Sequence, residues 1–180
     1  MYGLVNKAVE QMVCSHFNPE TWEAIKQHAG IDITSFVSLR PYPDEITYQL
    51  VDAAHHTVNL SHADILRAFG RYWVLYTATE GYGELLNVTG HTFEEFMENL
   101  PNLHTRVSFS YPQLVPPTFE TEPFDGGVLV HYYSERQGLA PMVVGLLEGL
   151  AERFNTSIAI ELIASREAGD DHEVFRIDYK

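Results

Sequence analysis

The spacing of apolar residues changes between the first and the second half of the chain, and this change limits the possible folds. In the first half, apolar side chains recur three or four positions apart, which places them on one face of a helix, as in the run Ile65, Phe69, Trp73 and Tyr76. In the second half they alternate, which is the period of a strand. Strands that are grouped after a run of helices indicate an α+β fold with an antiparallel sheet rather than alternating βαβ units.

Individual elements follow from the same patterns. Ser61 and Thr92 each precede an acidic residue by three positions, which is the capping spacing that opens a helix. The later elements should be a strand, a long helix and two further strands, over Val128–Arg136, Leu139–Phe154, 158–162 and 175–179. Pro101 lacks an amide proton and fits best in the first turn of a helix, so we predict that a new, short helix opens there.

Composition and charge restrict the number of domains, the partners and the cellular location that we expect for the protein. A length of 180 residues favours a single domain, spanning 1–180. The 25 acidic and 11 basic residues leave a net charge of −14, which disfavours nucleic acid and anionic lipid as partners. The single cysteine, Cys14, cannot form an internal disulfide, and no apolar stretch approaches the roughly 20 residues of a membrane span. We therefore expect a cytoplasmic protein that binds neither nucleic acid nor membrane.

The predicted strand that contains HYYSERQGL carries three hydrogen-bond donors. Alternation along a strand would put Tyr132, Ser134 and Arg136 on one face, beside two valines. A phenol, a hydroxyl and a planar guanidinium could together hold an amphipathic ligand that bears anionic groups. A structural alternative remains open, in which Ser134 caps the following helix together with Gln137 and Arg136 pairs with a surface acid.

Nine histidines are spread along the chain, and none shows the spacing of a zinc site. Five are expected to be solvated because they lie in polar or terminal positions, namely His16, His28, His62, His91 and His172. His104 differs because it follows Leu100 and Leu103 in a segment bounded by prolines. A lone histidine among apolar residues is usually part of a packed core. Haem is the common exception, since the macrocycle needs only one protein ligand.

Six segments in the same order along the chain are similar to H-NOX domains, the haem–nitric oxide/oxygen-binding family. They are MYGLVNKA, FGRYW, GYGELL, FMENLPNLH, YPQLVPP and HYYSERQGL. The resemblance covers essentially the whole chain. It is especially close to the haem domain of the soluble guanylate cyclase β subunit and to stand-alone cyanobacterial members. The chain is therefore identified as a member of this family, and the resemblance implies haem b as the cofactor.

The resemblance also implies roles for individual residues. His104 matches the proximal iron ligand, Pro117 matches the proline that distorts the porphyrin, and Tyr111 matches a proximal aromatic residue. The clamp on the haem propionates corresponds to Tyr132, Ser134 and Arg136, and the distal or edge wall to Val5, Trp73, Met142 and Leu146. The haem is expected to be buried between a helical distal part, 1–60, and a clamping part, 61–180.

The implied function is sensing of a diatomic gas. Oxygen-binding members carry a distal tyrosine, and Leu139–Leu150 contains none, so the resemblance implies binding of NO and CO rather than of oxygen. NO would break the bond between iron and His104, and the resulting domain shift would signal to a histidine kinase or a cyclic-nucleotide enzyme. No catalytic motif stands out, so the chain is not expected to be an enzyme. An oxygen sensor, a haem carrier or storage protein, and a binder of another anionic ligand remain alternatives.

Overall fold

The computed structural model describes residues 1–79, 82–108 and 113–180. Six helices come first: α1 Gly3–His16, α2 Pro19–His28, α3 Asp44–Val58, α4 His62–Thr79, α5 Gly83–Thr89 and α6 Phe93–Ser108. Two strands follow, β1 Thr118–Phe124 and β2 Gly127–Tyr133. Helix α7 Ala140–Arg153 comes next, and strands β3 Ile158–Ala164 and β4 Glu173–Tyr179 come last. The α+β fold predicted from the change in apolar spacing is therefore confirmed. None of the described helices is both long enough and apolar enough to cross a membrane.

The four strands form one antiparallel sheet in the order β1-β2-β4-β3. The predicted strand over Val128–Arg136 is too long, because β2 ends at Tyr133. Its neighbours end at the same level, where Thr118 pairs with Tyr133 and Glu173 pairs with Tyr132. Ser134 and Arg136 therefore lie in the connection after the strand rather than on its face.

Buried side chains form two hydrophobic clusters. The first cluster lies among α1, α2, α3 and one side of α4, with Ile25, Leu50 and Phe69 among its members. The second lies among the sheet, α6 and α7, and includes Val130 and Phe175. Helix α4 contributes to both clusters, so it stands between the N-terminal helices and the rest of the fold.

Helices α4 and α7 approach each other so closely that their backbones touch at glycines. A Cβ atom added to Gly70 would lie 2.1 Å from the carbonyl oxygen of Met142. One added to Gly145 would lie 1.9 Å from the carbonyl oxygen of Arg67. The same face carries two ion pairs between the helices, Arg67 with Glu148 and Arg71 with Glu152. Only glycine allows this crossing without displacement of a helix.

Helix α6 runs without interruption from Phe93 to Ser108 and contains Pro101. The prediction that a new helix opens at Pro101 is therefore wrong. A proline inside a helix removes the hydrogen bond to the carbonyl four residues earlier, here that of Met97. Burial of the first two turns, by side chains such as Phe96 and Leu100, offsets this loss. The cap predicted at Thr92 is confirmed, since its hydroxyl accepts a hydrogen bond from the Glu95 amide at 3.2 Å.

Candidate functional site

A cavity of about 320 Å³ lies where the two hydrophobic clusters meet. Its size falls at the lower end of the range of about 300–1,000 Å³ that ligand pockets span. The cavity wall contains every described residue that the sequence singled out, namely Val5, Trp73, His104, Pro117, Tyr132, Ser134, Arg136, Met142 and Leu146. Tyr111 lies outside the described residues. The structure thus brings together residues that are up to 141 positions apart in the chain.

His104 faces this cavity from the second half of α6. Its ring stacks on Phe119 with 5.6 Å between the ring centroids and 12° between the planes. It makes no hydrogen bond to any other described residue. Burial lowers the pKa of His104 from 6.5 to about 4, so the imidazole is neutral near pH 7. A neutral ring with a free nitrogen lone pair can bind a metal.

The other histidines do not contribute to the described cavity wall. His172 was expected to be solvated, and this expectation is wrong. Its Nε2 atom lies 2.9 Å from Nδ1 of His131 on the neighbouring strand, and its ring stacks on Tyr133. Register explains the pairing, because His131 of β2 lies opposite Val174 of β4, two residues after His172. His104 is therefore the histidine that the fold directs towards the cavity.

Arg136 reaches the cavity from the connection after β2 and is held at two points. Its Nε atom donates to Asp44 Oδ2 on α3 at 2.7 Å, and its Nη1 atom donates to the carbonyl oxygen of Val115 at 2.7 Å. The structural alternative in which Arg136 pairs with an acidic side chain is thus met by Asp44. The Nη2 group has no hydrogen-bond partner among the described residues, so it remains available to an anionic ligand.

Ser134 and Tyr132 complete the polar end of the cavity. The Ser134 hydroxyl accepts a hydrogen bond from the Arg136 amide at 3.1 Å. The alternative in which Ser134 caps the next helix is wrong, because α7 begins at Ala140 and Leu139 occupies the N-cap position. Burial raises the pKa of the Tyr132 phenol, so the phenol keeps its proton and can donate a hydrogen bond at neutral pH.

Asp44 supplies the negative charge that balances Arg136. Burial raises the pKa of this carboxyl, but hydrogen bonds from the N-terminal ammonium group and from Arg136 outweigh burial and lower the pKa below its ordinary value. Asp44 is therefore ionised at neutral pH. Because it lies on α3 and Arg136 follows β2, this pair joins the N-terminal helices to the sheet at the edge of the cavity.

Apolar side chains form the rest of the wall. The wall also contains residues that were not expected from the sequence, namely Phe119 and, from α6 and its neighbouring loop, Leu103, Val107 and Leu114. Leu100 and Val107 lie four positions before and three positions after His104, and Leu103 lies three positions after Leu100, so helical spacing could have predicted this part of the wall. No pattern in the sequence pointed to Phe119, whose place depends on the pairing of β1 with β2.

Hydroxyl groups on the cavity wall could donate hydrogen bonds to a bound ligand. Thr77 donates its proton to the carbonyl oxygen of Trp73 at 2.8 Å. The 139–150 segment contains no tyrosine, whereas Tyr2, Tyr48 and Tyr82 line the cavity from other parts of the chain. Tyr48 donates to the carbonyl oxygen of Gln137 at 3.2 Å. The tyrosine-free wall is therefore the α7 wall and not the whole cavity.

Comparison with known proteins supports one family. The model of the family described as Haem-NO-binding matches residues 2–162. Soluble guanylate cyclase gcy-33 of Caenorhabditis elegans is 31% identical over 94% of this chain, and the subunit beta-2 of guanylate cyclase from Rattus norvegicus is 35% identical over 64%. The match spans only 18% of the length of each of these two relatives.

Solved structures share the fold. The H-NOX protein from S. oneidensis in the Fe(II)NO ligation state superposes with a TM-score of 0.91 and 20% identity, covering 100% of this chain and 99% of that one. The unliganded Fe(II) H-NOX protein from K. algicida superposes with a TM-score of 0.85 and 22% identity, covering 100% and 97%. With the family match over nearly the whole length, these observations show that the chain belongs to the haem-NO-binding (H-NOX) family of haem-binding gas-sensor domains.

Proposed function

We propose that the chain holds haem b through His104 and senses NO and CO. The observation that carries this proposal is an apolar cavity in which the His104 imidazole at one end and Nη2 of Arg136 at the other make no hydrogen bond to any other described residue. Among the described residues, no three His, Cys, Asp or Glu side chains are grouped to hold a metal ion. A porphyrin supplies four nitrogen ligands itself and needs only one from the protein, so the donor set fits haem.

Different residues would contact the iron, the propionates and the macrocycle of this cofactor. When bound, haem supplies the iron at which a diatomic gas binds. His104 provides a nitrogen ligand, and stacking on Phe119 orients its ring. Tyr132, Ser134 and Arg136 hold the propionates by donated hydrogen bonds. Pro117 contributes a rigid ring at the wall, which we propose presses on the macrocycle.

We propose selectivity for NO and CO over oxygen. Bound oxygen is polar and depends on a distal hydrogen-bond donor more than NO does. The α7 wall offers Met142 and Leu146, which have no such donor, and the hydroxyl protons of Thr77 and Tyr48 are already donated to backbone carbonyls. The structures of the S. oneidensis protein include the Fe(II)NO and Fe(II)CO ligation states.

We propose that the signal passes to a separate enzyme in the cytoplasm, either a histidine kinase or a cyclic-nucleotide enzyme, and that this chain is the sensor and not the catalyst. The relatives named as soluble guanylate cyclases support the second kind of partner. In this proposal His104 would hold the iron, and gas binding at the iron would be sensed through that bond. The distal part, 1–60, then shifts relative to the clamping part, 61–180, about the contact between Asp44 and Arg136.

Absorption spectra of the purified protein test the proposal. The wild-type protein reconstituted with haem should give ferrous, NO and CO spectra, and it should form no oxygen complex that persists for minutes in air. His104→Ala should lose haem or give a spectrum that imidazole added in solution restores. His91→Ala, which changes an exposed histidine just before α6, should behave as wild type. A colourless protein that cannot be reconstituted contradicts haem binding, and a persistent oxygen spectrum contradicts the selectivity.

A further inference from the structure

An ion pair with a buried carboxylate lies behind the connection that carries Ser134 and Arg136. The Glu173 side chain is 5% exposed, and its two carboxylate oxygens accept hydrogen bonds from Arg166 Nε at 3.0 and 3.2 Å. Neither residue lines the described cavity. A buried carboxylate is costly without a cationic partner, so Glu173 fixes the position of the Arg166 guanidinium.

The remaining nitrogens of Arg166 bind the backbone of this connection. Nη1 donates to the carbonyl oxygen of Ser134 at 2.7 Å, and Nη2 donates to the carbonyl oxygen of Arg136 at 2.7 Å. Beyond Tyr133 the chain has no ladder partner among the described residues, because the pairings with β1 and β4 end there. The Arg166 side chain therefore satisfies two carbonyls that the sheet leaves without partners.

We propose that Arg166 is a positioning residue for the haem clamp and that Glu173 holds Arg166 in place for this task. The proposal rests on the proposed function, in which Ser134 and Arg136 bind the propionates. Arg166 fixes their backbone, whereas Asp44 and Val115 fix the side chain of Arg136. Only Nη2 of Arg136 is then left to meet a ligand, and it does so from a pre-set position.

The planar fork of arginine explains the residue type. One guanidinium presents three separate edges, which here meet a carboxylate and two carbonyls that are two residues apart in the chain. A lysine ammonium at position 166 could keep the charge beside Glu173 but could not span both carbonyls. Arg166→Lys is therefore a selective probe, because it keeps the buried carboxylate paired and releases the connection.

The experiment compares Arg166→Lys and Arg166→Gln with two controls. Arg176→Gln removes an exposed arginine of β4 that pairs with Asp178 at 2.8 Å and does not contact the clamp. Ile177→Ala destabilises the buried core of the same strand, outside the cavity wall, and shows what a loss of stability alone does. Three measurements are made on each haem-reconstituted variant: the rate of haem transfer to excess apomyoglobin, the propionate-bending Raman band, and amide hydrogen exchange at residues 134–137.

Haem transfer should accelerate about tenfold in Arg166→Gln and by a smaller factor in Arg166→Lys, as expected from the loss of charge-assisted hydrogen bonds. The propionate band should shift, and exchange at 134–137 should rise in both variants. Arg176→Gln should stay within twofold of wild type. Two results would overturn the proposal. One is haem transfer within twofold of wild type in Arg166→Gln. The other is acceleration in Arg166→Gln that equals the acceleration in Ile177→Ala and comes without a shift of the propionate band.

The exchange measurement separates this inference from the function on which it rests. If the wild-type chain takes up no haem, the proposed function fails, and exchange in the haem-free protein still reports whether Arg166 orders residues 134–137. If haem binds and exchange at these residues is the same with and without Arg166, the inference fails and the proposed function stands.

Discussion

Replacing Gly145 with alanine tests the close crossing of α4 and α7. The new methyl carbon would lie 1.9 Å from the carbonyl oxygen of Arg67, about 1.5 Å short of the 3.4 Å at which ordinary contact begins. The obstacle is backbone, so no side-chain rotation relieves it. The helices must move apart at the wall to which Trp73, Met142 and Leu146 belong. Gly149→Ala is the matched control, because it lies one turn later on α7 and its Cβ would be 3.0 Å from Arg71 O.

The magnitude follows from two opposing contributions. Overpacking costs about 1–3 kcal/mol, and a backbone clash belongs at the upper end. Alanine is preferred to glycine in a helix by about 1 kcal/mol, which offsets part of this cost. The free energy of unfolding should therefore fall by about 2 kcal/mol in Gly145→Ala, and Tm by roughly 4–8 °C for a chain of this length. For Gly149→Ala the two contributions should cancel to within about 1 kcal/mol.

Denaturant titration of the two haem-free variants, followed by far-ultraviolet circular dichroism, measures this difference. The slope of the free energy against denaturant should stay unchanged, since the unfolded chain exposes the same surface. Because the displaced helices line the cavity, Gly145→Ala should also bind haem less tightly than Gly149→Ala. Equal stabilities of the two variants would show that the helices do not cross at Gly145 as described.

Three further perturbations test the site. In haem-free protein the free energy of unfolding should fall as pH drops from 6.5 to about 4, because in this range only the unfolded chain takes up a proton at His104. The fall due to this group should be on the order of 3 kcal/mol, and His104→Leu should abolish it. Asp44→Asn should cost about 1–2 kcal/mol above pH 5, and the difference should vanish as pH falls below 3.8 through the lowered folded pKa, as acid titrations of both proteins would show. Pro117→Ala should flatten the haem, which Raman out-of-plane bands report.

The helices and the polar cluster could be predicted because local signals determine them. Apolar residues three and four positions apart mark the faces of α1 to α4, and the caps at Ser61 and Thr92 mark two helix starts. The three-donor motif at the end of β2 can be recognised from neighbouring residues in the chain. Its setting cannot, because β2 ends where Thr118 and Glu173 stop pairing, and these lie on other strands.

Contacts between distant parts of the chain escaped the sequence for the same reason. Asp44 and Arg136 are 92 residues apart, and Arg166 and Ser134 are 32 apart, with no local pattern that links them. Pro101 was misjudged because its cost is local and visible, whereas the burial that offsets it depends on how α6 packs in the fold.

The cavity between the two hydrophobic clusters has a consequence for the amount of protein in a cell. A ligand that fills the space between two cores and binds only the folded chain raises the free energy of unfolding, by about 4 kcal/mol at a thousand times its Kd. Haem-free copies should unfold more often and be degraded faster. The abundance of the protein should then follow the supply of haem, so a cell short of iron would lose the gas response proposed above by losing the protein that carries it.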